Sequence, residues 1–254
     1  MIKELFSYLL SRATPGARSA GLVRECVAIA ARHRRHAAAW QPHLDRCKAH
    51  ITGAIDKADP TKPILVLGAG PCLDLPLDAL NKHPAGAVLV DAVLLPSTRR
   101  LIAKYPSLDF QVSDVTGLLV GGGVQMTIPD VAPIETQGYG LIISANILSQ
   151  LPLAFVSVPP QSEDEKAIMQ ALQQAHVNAL EKSGVPTLIM SDHKAELIVG
   201  NDKNTYTTLD SAIFSADVID SWPWTVAPFG ELGPQKELRL TVGVWQLNWE
   251  FSSD

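Results

Sequence analysis

The hydrophobic pattern of the chain changes after the polar linker DKADPTKP. Before this linker, apolar residues recur at helical spacing: the alanine-rich run at residues 22–40 predicts a helix, and Pro42 is expected to end it or to begin the next one. The opening MIKELFSYLL contains Glu4 and predicts a further helix rather than a signal peptide. These segments form a predicted N-terminal helical extension, residues 1–58, which precedes a larger domain at residues 59–254.

The larger domain alternates short apolar runs with helical segments. Strands that are apolar throughout and separated by helices are typical of an α/β fold with a doubly wound, mostly parallel sheet. Near the end, two β-rich runs joined by APFGELGPQK predict an antiparallel hairpin. Strands are predicted at residues 64–67, 87–90, 109–112, 140–143 and 186–190, and helices at residues 74–82, 96–104 and 163–182.

Composition is that of a globular protein: of 254 residues, 46% are hydrophobic and 19% are charged. Since no run of 18 apolar residues occurs, we expect no membrane span and no membrane partner. The three cysteines have no metal-like spacing and are expected to be reduced thiols of a cytoplasmic protein. Histidines recur at roughly helical phase in the extension, but no Cys or acid completes a metal set, so a solvated helix face is favoured. These histidines are His33, His36, His43 and His50.

Charge is distributed unevenly along the chain. Residues 1–50 hold nine basic and three acidic residues, a net charge of +6, and because the whole chain carries −5 the remainder carries −11. Such a basic segment can contact the phosphates of RNA, here through Arg32, Arg34 and Arg35. The favoured alternative is a solvated helix face that docks on the acidic domain.

A glycine turn follows the first predicted strand. In ILVLGAGPCLDLPL, Gly68, Ala69 and Gly70 leave the carboxyl end of a buried strand, which is where α/β proteins bind ligands. Asp91 ends the second strand, where a carboxylate can accept hydrogen bonds from both ribose hydroxyls of a nucleoside. Leu73 stands where a dinucleotide site prefers a third glycine, which argues against NAD. The pattern therefore predicts a different adenosine-containing ligand.

Asp114, just beyond the third strand, is a second acid that the dinucleotide pattern lacks. With these residues the chain resembles the class I S-adenosylmethionine-dependent methyltransferases over roughly residues 63–251. The resemblance implies a Rossmann-like, mostly parallel seven-stranded sheet with a C-terminal antiparallel hairpin. It also implies S-adenosyl-L-methionine as the cofactor.

The resemblance further implies where the cofactor lies. The glycine turn would contact the methionine moiety, Asp91 would hold the ribose, and the adenine would lie beside Asp114 and Val115. The segment YGLIISANILSQLP is similar to the family's strand and turn that face the methyl group. The implied cofactor-binding residues are Gly68, Ala69, Gly70, Asp74, Asp91, Ala92, Asp114, Val115, Ser144 and Asn146.

Two positions depart from the family pattern and leave the strength of cofactor binding open. Family members often carry an acid two residues before the first loop glycine and a glycine two residues after the second, where this chain has Val66 and Cys72. Asp74, in the first turn of the predicted helix, would either reach the ligand's ammonium group or cap that helix, and the capping role is favoured. Cys72 is not expected to act as a nucleophile, because no His or Asp partner is near it in sequence.

The residues that would face a methyl acceptor follow the fourth and fifth strands. His193 could serve as a general base, although a surface histidine without a catalytic role is favoured. The aromatic candidates, Tyr206, Trp222 and Trp224, either line an acceptor pocket or pack in the core. The candidates after the two strands are Asn146, Gln150, Asp192 and His193.

The expected function is methyl transfer to an unidentified acceptor, with a small molecule slightly favoured over RNA. The N-terminal helices would then form a lid or the contact of a homodimer. One alternative is a non-catalytic binding or scaffold protein that uses the basic helices. A third, less favoured, is an aminopropyltransferase.

Overall fold

The computed structural model of the protein describes residues 2–120, 123–124, 127–157 and 159–249. Residues 250–251, at the end of the predicted hairpin, lie outside the described residues. No helix in the described part of the chain is long and apolar enough to cross a membrane.

The described residues contain six α-helices and twelve strands. The helices are α1 (Ile2–Leu10), α2 (Pro15–Ser19), α3 (Leu22–Ile55), α4 (Leu77–Lys82), α5 (Pro96–Ile102) and α6 (Glu163–Lys182). The strands are β1 (Arg12–Ala13), β2 (Ile64–Leu67), β3 (Ala87–Asp91), β4 (Val93–Leu94), β5 (Leu108–Val112), β6 (Leu119–Val120), β7 (Gly123–Val124), β8 (Leu141–Ala145), β9 (Thr187–Val199), β10 (Asp202–Thr207), β11 (Asp220–Ala227) and β12 (Lys236–Leu247).

The main sheet has the strand order β11-β12-β9-β8-β2-β3-β5, with β10 paired to β9. Strands β5, β3, β2, β8 and β9 run parallel, whereas β12 lies antiparallel between β9 and β11. The Rossmann-like, mostly parallel sheet with a C-terminal antiparallel hairpin is therefore confirmed. The parallel strands β2 and β8 are buried along their whole length, as expected for strands covered on both faces.

Side chains of the sheet alternate between two hydrophobic cores. Ile64 and Val66 of β2 point to one core, called here the α3 face, and Leu65 and Leu67 point to the other, the α6 face. The alternation follows from the period of two along a strand. The α3 face is covered by Cys47, Ile51, Leu77 and Leu80, and the α6 face by Val177 and Leu180.

One predicted strand is much longer in the structure. The strand predicted at residues 186–190 continues as β9 to Val199 and pairs with β12 and with the unpredicted β10. The residues directly after Met190 are polar, and the sequence pattern therefore predicted a loop there. A half-exposed antiparallel strand also carries polar side chains on its solvent face, so the pattern did not distinguish the two. Gly200, with a φ of +61°, makes the turn into β10.

Helix α4 begins at Leu77 rather than at Asp74, and the predicted capping role of Asp74 is wrong. Pro76 occupies the N-cap position, and no side chain caps the helix. The residue before a proline is disfavoured in the helical conformation, so the helix cannot extend back through Leu75. Asp74 lies instead in the loop that follows β2.

Helix α3 continues through Pro42, contrary to the prediction that this proline ends it. The backbone leaves helical geometry at His36, where φ is −124° and ψ is 30°. A proline inside a helix removes one hydrogen bond and kinks the axis, but it does not stop a helix whose packing is retained. Trp40 and Leu44 flank Pro42 and pack against β11, so tertiary contacts hold the two halves together. The 34 residues span about 50 Å.

The N-terminal extension is attached to the larger domain beside the end of β3. Strand β1 pairs antiparallel with β4, and the Thr14 amide donates to the Ala92 carbonyl over 3.1 Å. Gly16 of α2 lies so close to Leu119 that a Cβ on it would be 2.4 Å from that residue's carbonyl carbon. Ala17 is buried against Val93 in the same cluster. The extension and the larger domain therefore share a core.

Arg32, Arg34 and Arg35 of α3 are bonded to acids of the chain itself. Glu231, in the turn between β11 and β12, accepts hydrogen bonds from Arg32, Arg35 and His36. The Arg35 guanidinium in particular lowers the pKa of Glu231 to about 2. Arg34 donates to Glu4 of α1 over 2.8 Å. In this arrangement the basic face of α3 is docked on acidic groups, as the favoured interpretation of the charge pattern expected.

Replacing Glu231 with Gln is expected to lower the free energy of unfolding by about 1 kcal/mol at neutral pH, because Arg35 and His36 lose a charged acceptor. Since its folded-state pKa is depressed, Glu231 stabilises the fold above the ordinary glutamate pKa of about 4.3. This contribution is lost as the pH falls toward the folded-state value of about 2. Urea unfolding at a series of pH values measures the difference.

The matched control is Glu163→Gln, which removes an exposed carboxylate paired with Lys166. This change is expected to leave the stability nearly unaltered. An equal loss in both variants, or a Glu231→Gln difference that does not shrink in acid, would contradict the role assigned to Glu231.

Candidate functional site

The glycine turn after β2 is held by close packing. Gly68 has a φ of +82°, and a Cβ on it would lie 2.6 Å from Ile147 Cβ and 2.9 Å from the Ala145 carbonyl oxygen. A larger residue would collide with the turn that follows β8. Gly70 and Cys72 also have positive φ, 46° and 58°, so the chain doubles back tightly before α4. A non-glycine residue at positive φ is strained, and Cys72 is kept there by burial in the α3-face core.

Asp91 connects this turn to the end of β3. Its Oδ2 accepts the Gly70 amide over 2.8 Å, and its Oδ1 accepts the Val93 amide over 2.9 Å. Burial raises the pKa of Asp91 to about 6, even though these backbone bonds act to lower it. A carboxylate offers about four lone-pair positions, so both oxygens can still accept from a ligand.

Asp74 and Asn146 meet at the same edge of the sheet, from the loops after β2 and β8. The Asn146 Nδ2 donates to Asp74 Oδ2 over 2.6 Å. Burial raises the pKa of Asp74, while the bond from Asn146 and the charge of Lys48 act in the opposite direction. Asn146 has a φ of +51°, in the left-handed region that asparagine tolerates better than most residues.

Helix α3 contributes a third group of residues, which the sequence did not predict at the site. The Asn146 Nδ2 lies 3.7 Å from Cys47 Sγ, which in turn is 3.6 Å from His43 Nε2. Trp222 donates its indole N–H to His43 Nδ1 over 3.2 Å, so the imidazole proton is on Nε2 and faces the sulfur. Burial lowers the pKa of His43 to about 3, which keeps the ring neutral. A chain of neutral groups thus runs from α3 to the carboxylate of Asp74.

His43 is therefore buried, contrary to the expectation of a solvated histidine face. Only 3% of its surface is exposed. Its ring stacks on Trp224 with the centroids 3.9 Å apart and the planes 3° from parallel. Helical phase alone could not reveal this contact, because the partner strand lies some 180 residues later in the sequence. His36 and His50 bond to Glu231 and Asp220, and no group of three metal-binding side chains occurs among the residues described.

The adenine-side residues form a well-bonded loop after β5. Asp114 Oδ1 accepts the Thr116 amide and hydroxyl over 2.9 and 2.7 Å, and Asp114 Oδ2 accepts the Leu119 amide over 2.8 Å. These bonds fix the course of the loop. Val115 points into the α6-face core. Asp114 thus shapes the loop in this structure.

Ser144 differs from the other implied cofactor residues. Its hydroxyl lies 3.0 Å from His176 Nε2 on α6, and the serine is fully buried. The next two residues, Ala145 and Asn146, lie instead against the glycine turn and α3. The structure brings six of the implied cofactor-binding residues together at the carboxyl end of β2. Ala92 adjoins them, and Asp114 and Val115 lie in the loop after β5. These six are Gly68, Ala69, Gly70, Asp74, Asp91 and Asn146.

The acceptor-side candidates are divided between two places. Ser149 donates its hydroxyl to Asp192 Oδ1 over 2.5 Å, and burial raises the pKa of Asp192. Gln150 donates to the Asn146 carbonyl over 2.8 Å, near the carboxyl end of β2. A buried hydroxyl–carboxyl pair thus joins the loop after β8 to strand β9.

His193 lies within β9 rather than in a loop. It occupies the irregular step at which the pairing with β12 shifts. Its imidazole is 3.5 Å from the Ser221 hydroxyl and stands edge-on to Trp245, at 6.0 Å between ring centroids. Burial lowers the pKa of His193, so the ring is mostly neutral at physiological pH.

Trp222 and Trp224 serve the packing of α3 against β11. Trp222 is buried and bonded to His43, while Trp224 stands edge-on to Trp40 with the centroids 4.8 Å apart. Both side chains pack between α3 and β11, which agrees with the interpretation that they belong to the core rather than to an acceptor pocket. Tyr206 lies half-buried on β10.

The strand order, with β12 inserted antiparallel between β9 and β11, is the Rossmann-like arrangement that the resemblance to the class I methyltransferases implies. No protein-family model matches the chain, and no curated protein matches it significantly.

Several solved structures are similar at low sequence identity. An RNA methyltransferase from Salinibacter ruber, in complex with S-adenosyl-L-homocysteine, has a TM-score of 0.38 and 15% identity, over 84% of this chain and 95% of that chain. A 1,6-didemethyltoxoflavin-N1-methyltransferase from Burkholderia thailandensis has a TM-score of 0.40 and 16% identity, over 91% of each chain. An N-methyltransferase from Bradyrhizobium japonicum has a TM-score of 0.35 and 8% identity, over 78% and 85%.

All three cysteines lie buried near the site. Cys26 and Cys72 are close enough to Asp91 for its charge to disfavour their thiolates, and Cys47 is similarly affected by Asp74. Burial is the main reason why the pKa of each thiol is raised. None of the three is a ready nucleophile.

Native protein treated with iodoacetamide at about pH 8 is therefore expected to remain unmodified, since alkylation requires an accessible thiolate. The same treatment in urea should modify all three cysteines, and mass spectrometry of peptides distinguishes the two states. Rapid modification of Cys72 in the native protein would contradict the burial described here.

Proposed function

We propose that the protein binds S-adenosyl-L-methionine and is a methyltransferase. The observation that carries this proposal is the pair of partly buried carboxylates, Asp74 and Asp91, which adjoin the glycine turn. Among the described residues, no lysine or arginine forms an ion pair with either of them. A partly buried carboxylate without a cation is less well solvated than an exposed one, and a ligand that donates hydrogen bonds or carries a positive charge would compensate it. A ligand with an ammonium group, a sulfonium and two ribose hydroxyls supplies what both lack.

The residues at the carboxyl end of β2 fit such a ligand. Asp91 retains acceptor positions for ribose hydroxyls, and a Cβ on Gly70 would meet only Asp91 Oδ2, at 3.8 Å, so backbone can be approached there. Asp74 would receive the ammonium group in place of one bond from Asn146. The acid missing at Val66 is thus replaced by one further along the same turn.

When bound, the cofactor supplies an electrophilic methyl group on its sulfonium. The chain's own task is to align an acceptor with this methyl group and to exclude water. A base is needed only if the acceptor must lose a proton. Asp192, bonded to Ser149 and with a raised pKa, is the acceptor-side group that could hold a proton, and His193 is the weaker candidate.

We propose a small-molecule acceptor rather than RNA. Arg32 and Arg35 are bonded to Glu231, and Arg34 is bonded to Glu4, so phosphate contacts by these arginines would first have to break ion pairs. The scaffold alternative would leave the two partly buried carboxylates without a purpose. No observation favours the aminopropyltransferase.

Calorimetric titration with S-adenosyl-L-homocysteine is expected to show binding in the micromolar range. Asp91→Ala should weaken this binding at least tenfold, because the ribose hydroxyls lose their acceptor and the turn loses its bond at Gly70. Asp109→Ala, which removes an exposed carboxylate from neighbouring β5, is the matched control and should bind normally. Absence of both heat and thermal stabilisation with the parent chain would overturn the proposal.

The methionine end is tested by comparing two ligands in one variant. Asp74→Asn should weaken S-adenosyl-L-homocysteine about tenfold or more, because the ammonium group loses its counter-charge. The same change should leave 5′-methylthioadenosine unaffected, since that ligand lacks the amino-acid portion. Calorimetry with both ligands measures the difference, and equal loss for both would show that Asp74 acts only on the shape of the turn.

A further inference from the structure

Helix α1 is docked with its polar side inward and its apolar side outward. Glu4 bonds to Arg34, and Tyr8 packs against the cluster shared by α2 and α3, with the Arg18 guanidinium 5.3 Å from its ring centre. A surface helix of a globular protein ordinarily buries its apolar side. The outward side consists of four large residues that are 58–62% exposed, Leu5, Phe6, Leu9 and Leu10.

The surroundings of this apolar surface are strongly basic. Helix α5 packs beside α1, and the segments 2–20 and 93–104 together hold six exposed basic residues but only one acid, Glu4. That acid is bonded to Arg34. A basic surface of this kind is unusual in a chain whose net charge is −5. The six basic residues are Lys3, Arg12, Arg18, Arg99, Arg100 and Lys104.

A second copy of the chain is a poor occupant for this surface. A two-fold contact would bring the same basic residues of both copies together, which like charges oppose. The four side chains also expose roughly 400 Å² of apolar surface, about half of the ~800 Å² that each partner contributes to a stable interface. An anionic lipid surface, in contrast, accepts apolar side chains and attracts the basic residues around them.

We propose that α1 docks the protein on an anionic membrane surface. The helix would lie in the plane of the interface, with its four apolar side chains among the upper acyl chains and the six basic residues at the headgroups. No membrane partner was expected from the sequence because it lacks a spanning segment, but a helix that lies in the interface does not need to span.

The docking surface adjoins the acceptor side of the site. The turn Leu151–Ala154 follows the Asn146 turn, and Ala154 packs in the same cluster as Tyr8. Leu153 of this turn is 45% exposed. A docked protein would therefore hold the loop after β8 close to the lipid. The docking itself does not depend on methyl transfer and is tested without it.

Co-sedimentation of the full chain with vesicles tests the proposal. Vesicles that contain phosphatidylglycerol should retain the protein at least tenfold more strongly than vesicles of phosphatidylcholine alone, and added salt should weaken the retention. Leu5→Ser together with Leu9→Ser should abolish retention, because the apolar contact is lost. Leu232→Ser, at an exposed leucine in the β11–β12 turn, is the matched control and should be retained like the parent chain.

Three outcomes would overturn the proposal. The first is absence of retention by any vesicle, and the second is equal retention by neutral and anionic vesicles. The third is a dimer in light scattering that the Leu5 and Leu9 changes dissociate while vesicles retain nothing, which would assign the surface to a second copy. Thermal unfolding and S-adenosyl-L-homocysteine binding of the doubly substituted chain show whether its fold and its proposed cofactor site are intact.

Discussion

The carboxylate of Asp91 ties together the parts of the molecule that form the candidate site. One oxygen holds the Gly70 amide of the turn after β2, and the other holds the Val93 amide at the start of β4. Because β4 pairs with β1, the same side chain also sets the strand on which the N-terminal extension docks. The arrangement keeps a partly buried carboxylate in place with backbone donors alone, and so leaves its charge available to a ligand.

Helix α3 covers one face of the sheet and also forms a wall of the candidate site. Its kink at His36 separates a first half that lies beside Asp91, through Cys26, from a second half that reaches Asp74, through Cys47. The two halves are held by different kinds of interaction. The charges of Glu231 hold the first half, and the stacked rings of His43 and Trp224 hold the second. Glu231 and Trp224, which belong to the β11–β12 hairpin, therefore support the site although they lie outside it.

Local pattern was sufficient to predict the alternation of strands and helices, the glycine turn and the position of Asp91 at the end of a strand, because each depends on neighbours within one βαβ unit. The arrangement of the sheet was implied only by the family resemblance. The capping role favoured for Asp74 was wrong because α4 begins only at Leu77. The contact of Asp74 with Asn146, in the turn after β8, joins residues 72 positions apart and is not visible in local sequence. The burial of His43 and the Ser149–Asp192 pair escaped prediction for the same reason: both arise where loops or helices distant in sequence meet. The outward apolar side of α1 is visible in the sequence as amphipathicity, but its direction is set by Arg34 and Arg18.

The short pairing of β1 with β4 has a consequence for access to the site. The extension is fastened twice, once by α3 along β11 and once by β1 beside Asp91. Any movement that uncovers Asp91 from the N-terminal side must separate a two-residue pair and lift Gly16 from Leu119, whereas the 34-residue helix can stay where it is. The moving part would be some twenty residues that hinge at Gly21, whose φ of +79° and open surroundings leave its backbone unhindered. A membrane that held α1 in the proposed way would also restrain the segment that pairs with β4.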